Sequence, residues 1–568
     1  MDTLNQLLQL HGDEFRFPKS VPTFLNRSPL EAFSAEGVKH HAVCPSCYHL
    51  SSIKSNPTDE TRVCNPPLIG AGFKPTGSSE FCNGRVYDYD KNSLTKKPVA
   101  QLVYSYCSIT TTLKKFFLRQ GFADQVKSWK SRQASKNYLF DLYDATGFLD
   151  FKTSPSGSSF VLESDYNLLL SLNVDWFSPF NTNHSVGCIY LTVQNLPKQQ
   201  GRDLKQNMIL VGVIPGPKEP PLTAINNYLA PMVNDLKMLL EGVLMKMVMQ
   251  DGSIQHNNVK ACLYSVSSDL PATKKLAASM SFNSGYGCHL CKTFFPGLDG
   301  PGNKRNYCNW DCDEWVPRTP EETRESSKAW KDATTVKQRT LLEKNSGVRY
   351  SILFELPYYS YNILAIEPMH ALYLGVVRKA LKTMLPEGAF LCIKRNLKDH
   401  IKSDPDVSCA AMAKKIVKDG LPYVKAVEFK NFMTCFAERV LAPPVLSASD
   451  YALIMHLIDA LRLLNGNVMK KSDVEIAHQH LLAFAQGFEQ RFGSHSVTPN
   501  FHFMLHLREC IYKFGPISCF WGFGFERNNL FIKNINTNHK PGFEKTYMKQ
   551  MQSIIFADDY DCVAHYTS

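Results

Sequence analysis

The sequence predicts an α/β protein with a mixed central sheet in its middle third and a long all-helical stretch behind it. Three observations predict this. Three apolar runs of strand length, 168–180 (LLLSLNVDWFSPF), 186–196 (VGCIYLTVQNL) and 208–214 (MILVGVI), precede a helical segment, and a fourth run, 259–266 (VKACLYSV), follows it. Later segments such as ALYLGVVRKAL, YALIMHLIDALRLL and AHQHLLAFAQGFEQRF all repeat their apolar residues at helical spacing. Two cysteine-bearing segments, one near the N-terminus and one after the fourth run, have the spacing of metal knuckles.

Composition narrows the class. A chain of 568 residues exceeds what one core can hold, so about three or four units are expected. With 44% hydrophobic and 20% charged residues it is an ordinary globular chain. The net charge of +11 is compatible with a polyanionic partner, though it is spread thinly. The most apolar segment, 228–249, is interrupted by Asp235, Lys237, Glu241 and Lys246. It reads as one amphipathic or buried helix rather than a membrane span. The opening MDTLNQLLQLHGDEF lacks a basic, signal-like start, so the 17 cysteines are expected to be reduced.

In order, residues 1–97 form an extended lead-in with Cys44, Cys47, Cys64 and Cys82. These can supply four thiolates to zinc or be small core residues, with His40 and His41 as substitute ligands. Residues 98–160 read as a helical connector whose polar face carries Lys114, Lys115, Arg119, Lys127, Lys130 and Arg132. That face is either a solvated surface or a track for phosphates. Residues 161–285 hold the four runs. Pro215 and its neighbours end the third, and Thr223 can cap the helix that returns the chain. A connection of that length places the fourth run parallel to the first, so that Asp175 and Asp269 converge.

Residues 286–348 form a cysteine-rich knuckle and polar linker. Cys288 and Cys291, then Cys308 and Cys312, suggest a closed structural zinc site, with His289 able to replace a ligand. Residues 349–498 are helical, and residues 499–568 return the chain and end in a tail. His502 and His506 share a helix face without an obvious third ligand, so they are expected to pack or to face DNA. Trp521, Phe523 and Phe525 read mainly as core, although Trp521 can also stack on an unpaired base.

The ordered set VDWFSPF, SVGCIYLTVQNLP, ILVGVIPGPKEP, SSDLPA with CHLC, EPMHALYLG and TPNFHFMLHL…FGP…FWGFGFERNN resembles eukaryotic CACTA (En/Spm)-type, Tnp2-like DNA transposases and their fungal relatives. The resemblance covers residues 40–545. It implies an RNase H-like catalytic core interrupted by a large all-α insertion, and DDE-type strand cleavage and transfer with two Mg²⁺ or Mn²⁺ ions. Carried onto this chain, the first acid is Asp175, the second Asp269 and the third Glu526. Glu367 stands where relatives carry Asp and is the rival third acid. His370 beside it is a leaving-group or phosphate contact, or a packing residue. Cys288 and Cys291 match the family's C-x2-C.

The resemblance further implies double-stranded DNA as partner, in the form of transposon terminal repeats and target DNA, and a nuclear location. No membrane partner is expected, and a homodimer is compatible with this reading. Two competing readings are a catalytically inactive, transposase-derived DNA-binding or chromatin protein, and a zinc-scaffolded interaction module. Carboxylates suit the hard Mg²⁺ ion, whereas nearby cysteines suit zinc.

Overall fold

The computed structural model describes residues 29–54, 63–64, 82, 84–89, 98–154, 156–180, 184–198, 202–300, 302, 304–401, 412, 421–538, 540, 542–559, 562–563 and 565. Of the expected lead-in 1–97, residues 1–28, 55–62, 65–81, 83 and 90–97 lie outside them.

Seven strands form the central sheet: β1 (Val38–Val43), β2 (Leu50–Ser52), β3 (Leu102–Cys107), β4 (Leu168–Phe177), β5 (Val186–Val193), β6 (Met208–Ile214) and β7 (Ala261–Val266). Their order across the sheet is β7-β4-β5-β6-β3-β1-β2. The β4–β5, β5–β6, β6–β3, β3–β1 and β1–β2 pairs are antiparallel, and β7 joins β4 in parallel. The fold is thus mixed α/β, with a seven-stranded mixed sheet and many helices.

The long apolar runs have a simple cause. Strands β5, β6 and β7 are buried along their whole length, because protein covers both faces of the sheet. Side chains alternate between those faces. Leu168, Leu170, Leu172 and Val174 point into one core with the helix α1 (Ile225–Glu241), while Leu169, Cys262 and Tyr264 point into a second core built with the later helices.

The segment 228–249 departs from the expected single helix. Gly242, at φ +105°, ends α1, and the rest becomes a strand, Val243–Val248, hairpinned to Ile254–Val259. A β-carbon at that φ would be strained, so glycine fixes the break. The helix begins at Ile225 without a side-chain cap, so Thr223 does not cap it.

The connector also differs from expectation. Part of it is β3 at the heart of the sheet, and its basic face is largely spent on protein contacts. Lys115 is buried and donates to the carbonyls of Ser34 and Glu36, Arg119 pairs with Asp559, Lys130 with Asp165 and Arg132 with Asp144.

Parallel pairing positions the site. Leu172 lies opposite Val266, and a register shift between Leu263 and Ser265 keeps the two strand ends level. The pairing continues past the strand: Ser267 N–H donates to Leu172 O at 2.9 Å, Asn173 Nδ2 to Ser267 O at 2.6 Å, and Val174 N–H to Ser268 Oγ at 2.8 Å. The next residue is Asp269, which opens α2 (Leu270–Ala277).

Behind the sheet, Ala448–Leu464 packs along Lys471–Phe492, followed by α3 (Pro499–Leu505), α4 (Leu507–Phe514) and α5 (Phe523–Lys533), which lies against β4. Among the described residues no helix is long and apolar enough to cross a membrane.

Candidate active site and metal centres

Asp175 sits two residues before the end of β4, opposite Cys188 of β5. Its Oδ1 accepts from Trp176 N–H at 2.9 Å and its Oδ2 from Asn529 Nδ2 of α5 at 2.7 Å. Asn529 is itself oriented by Tyr190, whose hydroxyl donates to Asn529 Oδ1 at 2.8 Å. Asp269 is the N-cap of α2: its Oδ1 accepts from Ala272 N–H at 2.7 Å, and Pro271 suits the first turn. Glu526 lies one turn before Asn529 on α5 and is open to solvent.

Glu367 occupies a different position. It is 4% exposed, and both oxygens are fully used. Oε1 accepts from Met369 N–H at 2.8 Å and from Gly522 N–H; Oε2 accepts from His370 N–H at 2.8 Å and faces His370 Nδ1 at 2.6 Å. Four partners leave this carboxylate no open lone pair. It ties the start of a π-helical segment, Met369–Val377, to the turn that launches α5. A β-carbon on Gly522 would stand 3.1 Å from Met369 Cε and 3.2 Å from the Glu367 carboxyl carbon, so a side chain there would crowd this contact.

The electrostatics join these groups into one cluster. Burial raises the Asp175 carboxyl to about 6; the His370 charge opposes the rise, while Asp269 and Glu526 add to it. Asp269 is raised chiefly by burial, with the Ala272 amide and His370 pulling back, and Glu526 is raised by partial desolvation against the same imidazole. Burial works against a charged His370, but the bond to Glu367 and the fields of Glu367, Asp269 and Asp175 lift it to about 9. His370 is therefore the cation of an acid-rich cleft.

The donor set fits a hard divalent cation. Among the described residues, nothing hydrogen-bonds to the Glu526 carboxylate or to Asp269 Oδ2, which leaves oxygens free to coordinate. The three acids are more open than the thiolate clusters: among the described residues, only cysteine-containing sets bring three or more ligand atoms within 4.8 Å of one another.

Two cysteine clusters could each hold a structural metal such as zinc. In the first, Cys44, Cys47, Cys64 and Cys82 converge, with Cys44 Sγ 3.6 Å from Cys82 Sγ and Cys47 Sγ 3.5 Å from Cys64 Sγ. A tetrahedron with Zn–S bonds of about 2.3 Å has edges of about 3.7 Å. Gly84 is required beside it, because a β-carbon there would lie 2.7 Å from Cys44 Sγ. His40 is engaged elsewhere, with Nδ1 2.9 Å from Ser105 Oγ, and neither His40 nor His41 joins the cluster.

The second cluster corrects the expected ligand set. Cys288 and Cys291 meet His502 and His506, not Cys308 and Cys312. Cys288 Sγ is 3.5 Å from His506 Nε2, Cys291 Sγ is 3.5 Å from His502 Nε2, and the two imidazole nitrogens are 3.1 Å apart. The Leu290 and Cys291 amides point at Cys288 Sγ in a knuckle, and Arg318 Nε clamps it by donating to the carbonyls of Cys288 and Cys291. His506 Nδ1 faces Glu509 Oε1 at 3.0 Å, the carboxylate partner that orients a metal-bound imidazole. Trp315 covers both rings, with centroids at 4.1 and 4.8 Å.

Cys308 instead lies beside Glu489, and Cys312 lies near Arg508. The expected alternative for His289 also fails: the ring is buried, stacks on Phe503 and finds no polar partner. The i, i+4 spacing of His502 and His506 was the available signal, since it matches the two-cysteine knuckle in ligand count. Asn529 was missed as well; Glu526 and Asn529 fall on one helix face in FERNN.

Residues 148–328 match the family model described as transposase family tnp2. That segment is similar to tnp2 transposases. The match spans less than half of the chain; it takes in Asp175, Asp269 and the Cys288–Cys291 knuckle, and stops before Glu367, His370, the histidine pair and Glu526. No curated protein matches the chain. Similarity to a transposase family points to DNA as a partner in general terms and to transposition as the process.

Proposed function

We propose that this chain is a DDE-type DNA transposase that cleaves the phosphodiester at transposon ends and joins the freed strand to target DNA. Asp175, Asp269 and Glu526 are its metal-holding acids. The observation that carries this reading is the parallel end of β4 and β7, where Ser267 and Ser268 bond to Leu172, Asn173 and Val174 and deliver Asp269 beside Asp175. Asn529 brings the Glu526 helix to the same edge. Such a sheet edge, with a helical stretch between the second and third acids, is consistent with an RNase H-like core carrying a large all-α insertion.

Mg²⁺ or Mn²⁺ bound by these carboxylates would supply Lewis acidity toward the attacking water or 3′-hydroxyl and toward the departing 3′-oxygen. The remaining roles fall to the protein. Asp175, pinned by Trp176 and Asn529, presents a fixed oxygen edge. Asp269 is locked by its own helix cap. Glu526, on the solvent-exposed side, closes the set. Glu367 is not the third acid in this reading; it orients His370 through Nδ1, and the imidazolium serves as a donor to a phosphate oxygen. The two cysteine clusters hold structural zinc, and the protein works on nuclear DNA.

The test is cleavage of labelled terminal-repeat DNA in Mg²⁺ and in Mn²⁺. Wild-type protein should nick the end and Asp269→Asn should not. Retained DNA binding by a wild-type protein that never cuts would instead identify a DNA-binding relic.

A further inference from the structure

Trp521 immediately precedes the Gly522 amide that bonds to Glu367, and its ring is half-buried. Two cations from remote parts of the chain converge on it. Lys198 Nζ, from the turn after β5, lies 5.4 Å from the ring centroid, and Lys430 Nζ, from the helix Ala426–Asn431, lies 5.5 Å from it. Phe523 braces the ring edge-on, with centroids 5.0 Å apart. Among the described residues neither lysine has an acidic partner, and the Lys198 ammonium disfavours the charge of Lys430. Lys425, at the start of the same helix as Lys430, projects its field onto Glu526.

We propose that Trp521, Lys198 and Lys430 form a subsite for one unpaired nucleotide of the DNA, its base on the indole and its phosphate between the ammonium groups. The proposal rests on the nuclease reading for its place beside the scissile phosphate. Two unneutralised cations around one aromatic ring are costly until an anion arrives. A duplex phosphate would satisfy the lysines but leave the indole without a role, because paired bases have their π faces covered. An unpaired base uses both: it displaces an ammonium from the ring face, and the released lysine follows to the phosphate. Lysine stems are long enough for that movement, whereas the indole is held by Phe523.

Binding in Mg²⁺-free buffer tests this without requiring cleavage. The probes are an oligothymidylate of about twenty nucleotides and a blunt duplex of the same length. Trp521→Ala should weaken the oligothymidylate about five-fold or more while leaving the blunt duplex within about two-fold, and Trp521→Phe should bind both nearly as wild type. The double variant Lys198→Ala/Lys430→Ala should weaken the oligothymidylate and flatten its salt dependence. Equal losses on the two probes, or no loss on either, would overturn the subsite. Should Trp521→Ala fail to fold, Trp521→Leu fills the volume without a π face, and unchanged oligothymidylate binding by it overturns the subsite equally. A protein that shows the Trp521 dependence but never cuts DNA keeps the subsite and loses the nuclease.

Discussion

Asn529 donates its side-chain amide to Asp175 at 2.7 Å, joining the helix of one acid to the strand of another. The bond is charge-assisted and sits one turn from Glu526, so it positions both. Asn529→Ala should lower the cleavage rate by about ten- to a hundred-fold, the kinetic equivalent of losing a hydrogen bond to a charged group. DNA binding measured by anisotropy should stay within about two-fold.

Glu367 and Glu526 separate cleanly by what their loss costs. Glu367→Ala strands the Met369, His370 and Gly522 amides and the imidazolium, so unfolding free energy should fall by about 3 kcal/mol or more in denaturant titrations. Glu526→Gln, open to solvent, should change stability by no more than about 0.5 kcal/mol yet reduce cleavage about a hundred-fold or more. The reverse pattern would make Glu367 the metal ligand.

His370 gives a pH signature. Its folded pKa is raised from 6.5 to about 9, so the folded state holds the proton more tightly than the unfolded chain. The resulting stability is fully present below 6.5 and is lost as pH rises through about 9. In metal-free buffer the wild type should therefore lose a few kcal/mol across that window relative to His370→Gln, which lacks the titration. Parallel melting curves of the two proteins at all pH values would remove the charge from His370.

Metal analysis distinguishes the ligand sets. Zinc-loaded protein should contain two equivalents; Cys288→Ser or His502→Asn should lose one, and Cys308→Ser or Cys312→Ser none. Chelation should also lower the melting temperature, since a bound structural metal adds its binding free energy to folding.

Much of the site was legible because strand ends can be read locally. VDWF and SSDLPA announce where β4 stops and α2 starts, and the length between them fits the parallel return that the pairing shows. What stayed hidden depends on contacts between distant residues. Nothing local says that Cys291 meets His502 rather than Cys312, because the polar and helical stretch between them can fold back in many ways. The buried state of Glu367 was equally unreadable: IEPMH shows a carboxylate, but only the approach of Gly522 shows that its oxygens are spent. The break at Gly242 was legible in principle, since a glycine interrupts the helical pattern, but the apolar run on both sides outweighed it. The basic face of the connector misled for the opposite reason. Its partners, Asp559 among them, lie far away in the chain.

The Cys288–Cys291–His502–His506 knot and the Glu367–Gly522 contact together clasp the feet of the helical stretch. Closing a chain at its base costs an entropy that grows only with the logarithm of the enclosed length. Whatever lies between the feet can therefore be lengthened, shortened or exchanged at small thermodynamic expense, and the sheet edge below would not register the change.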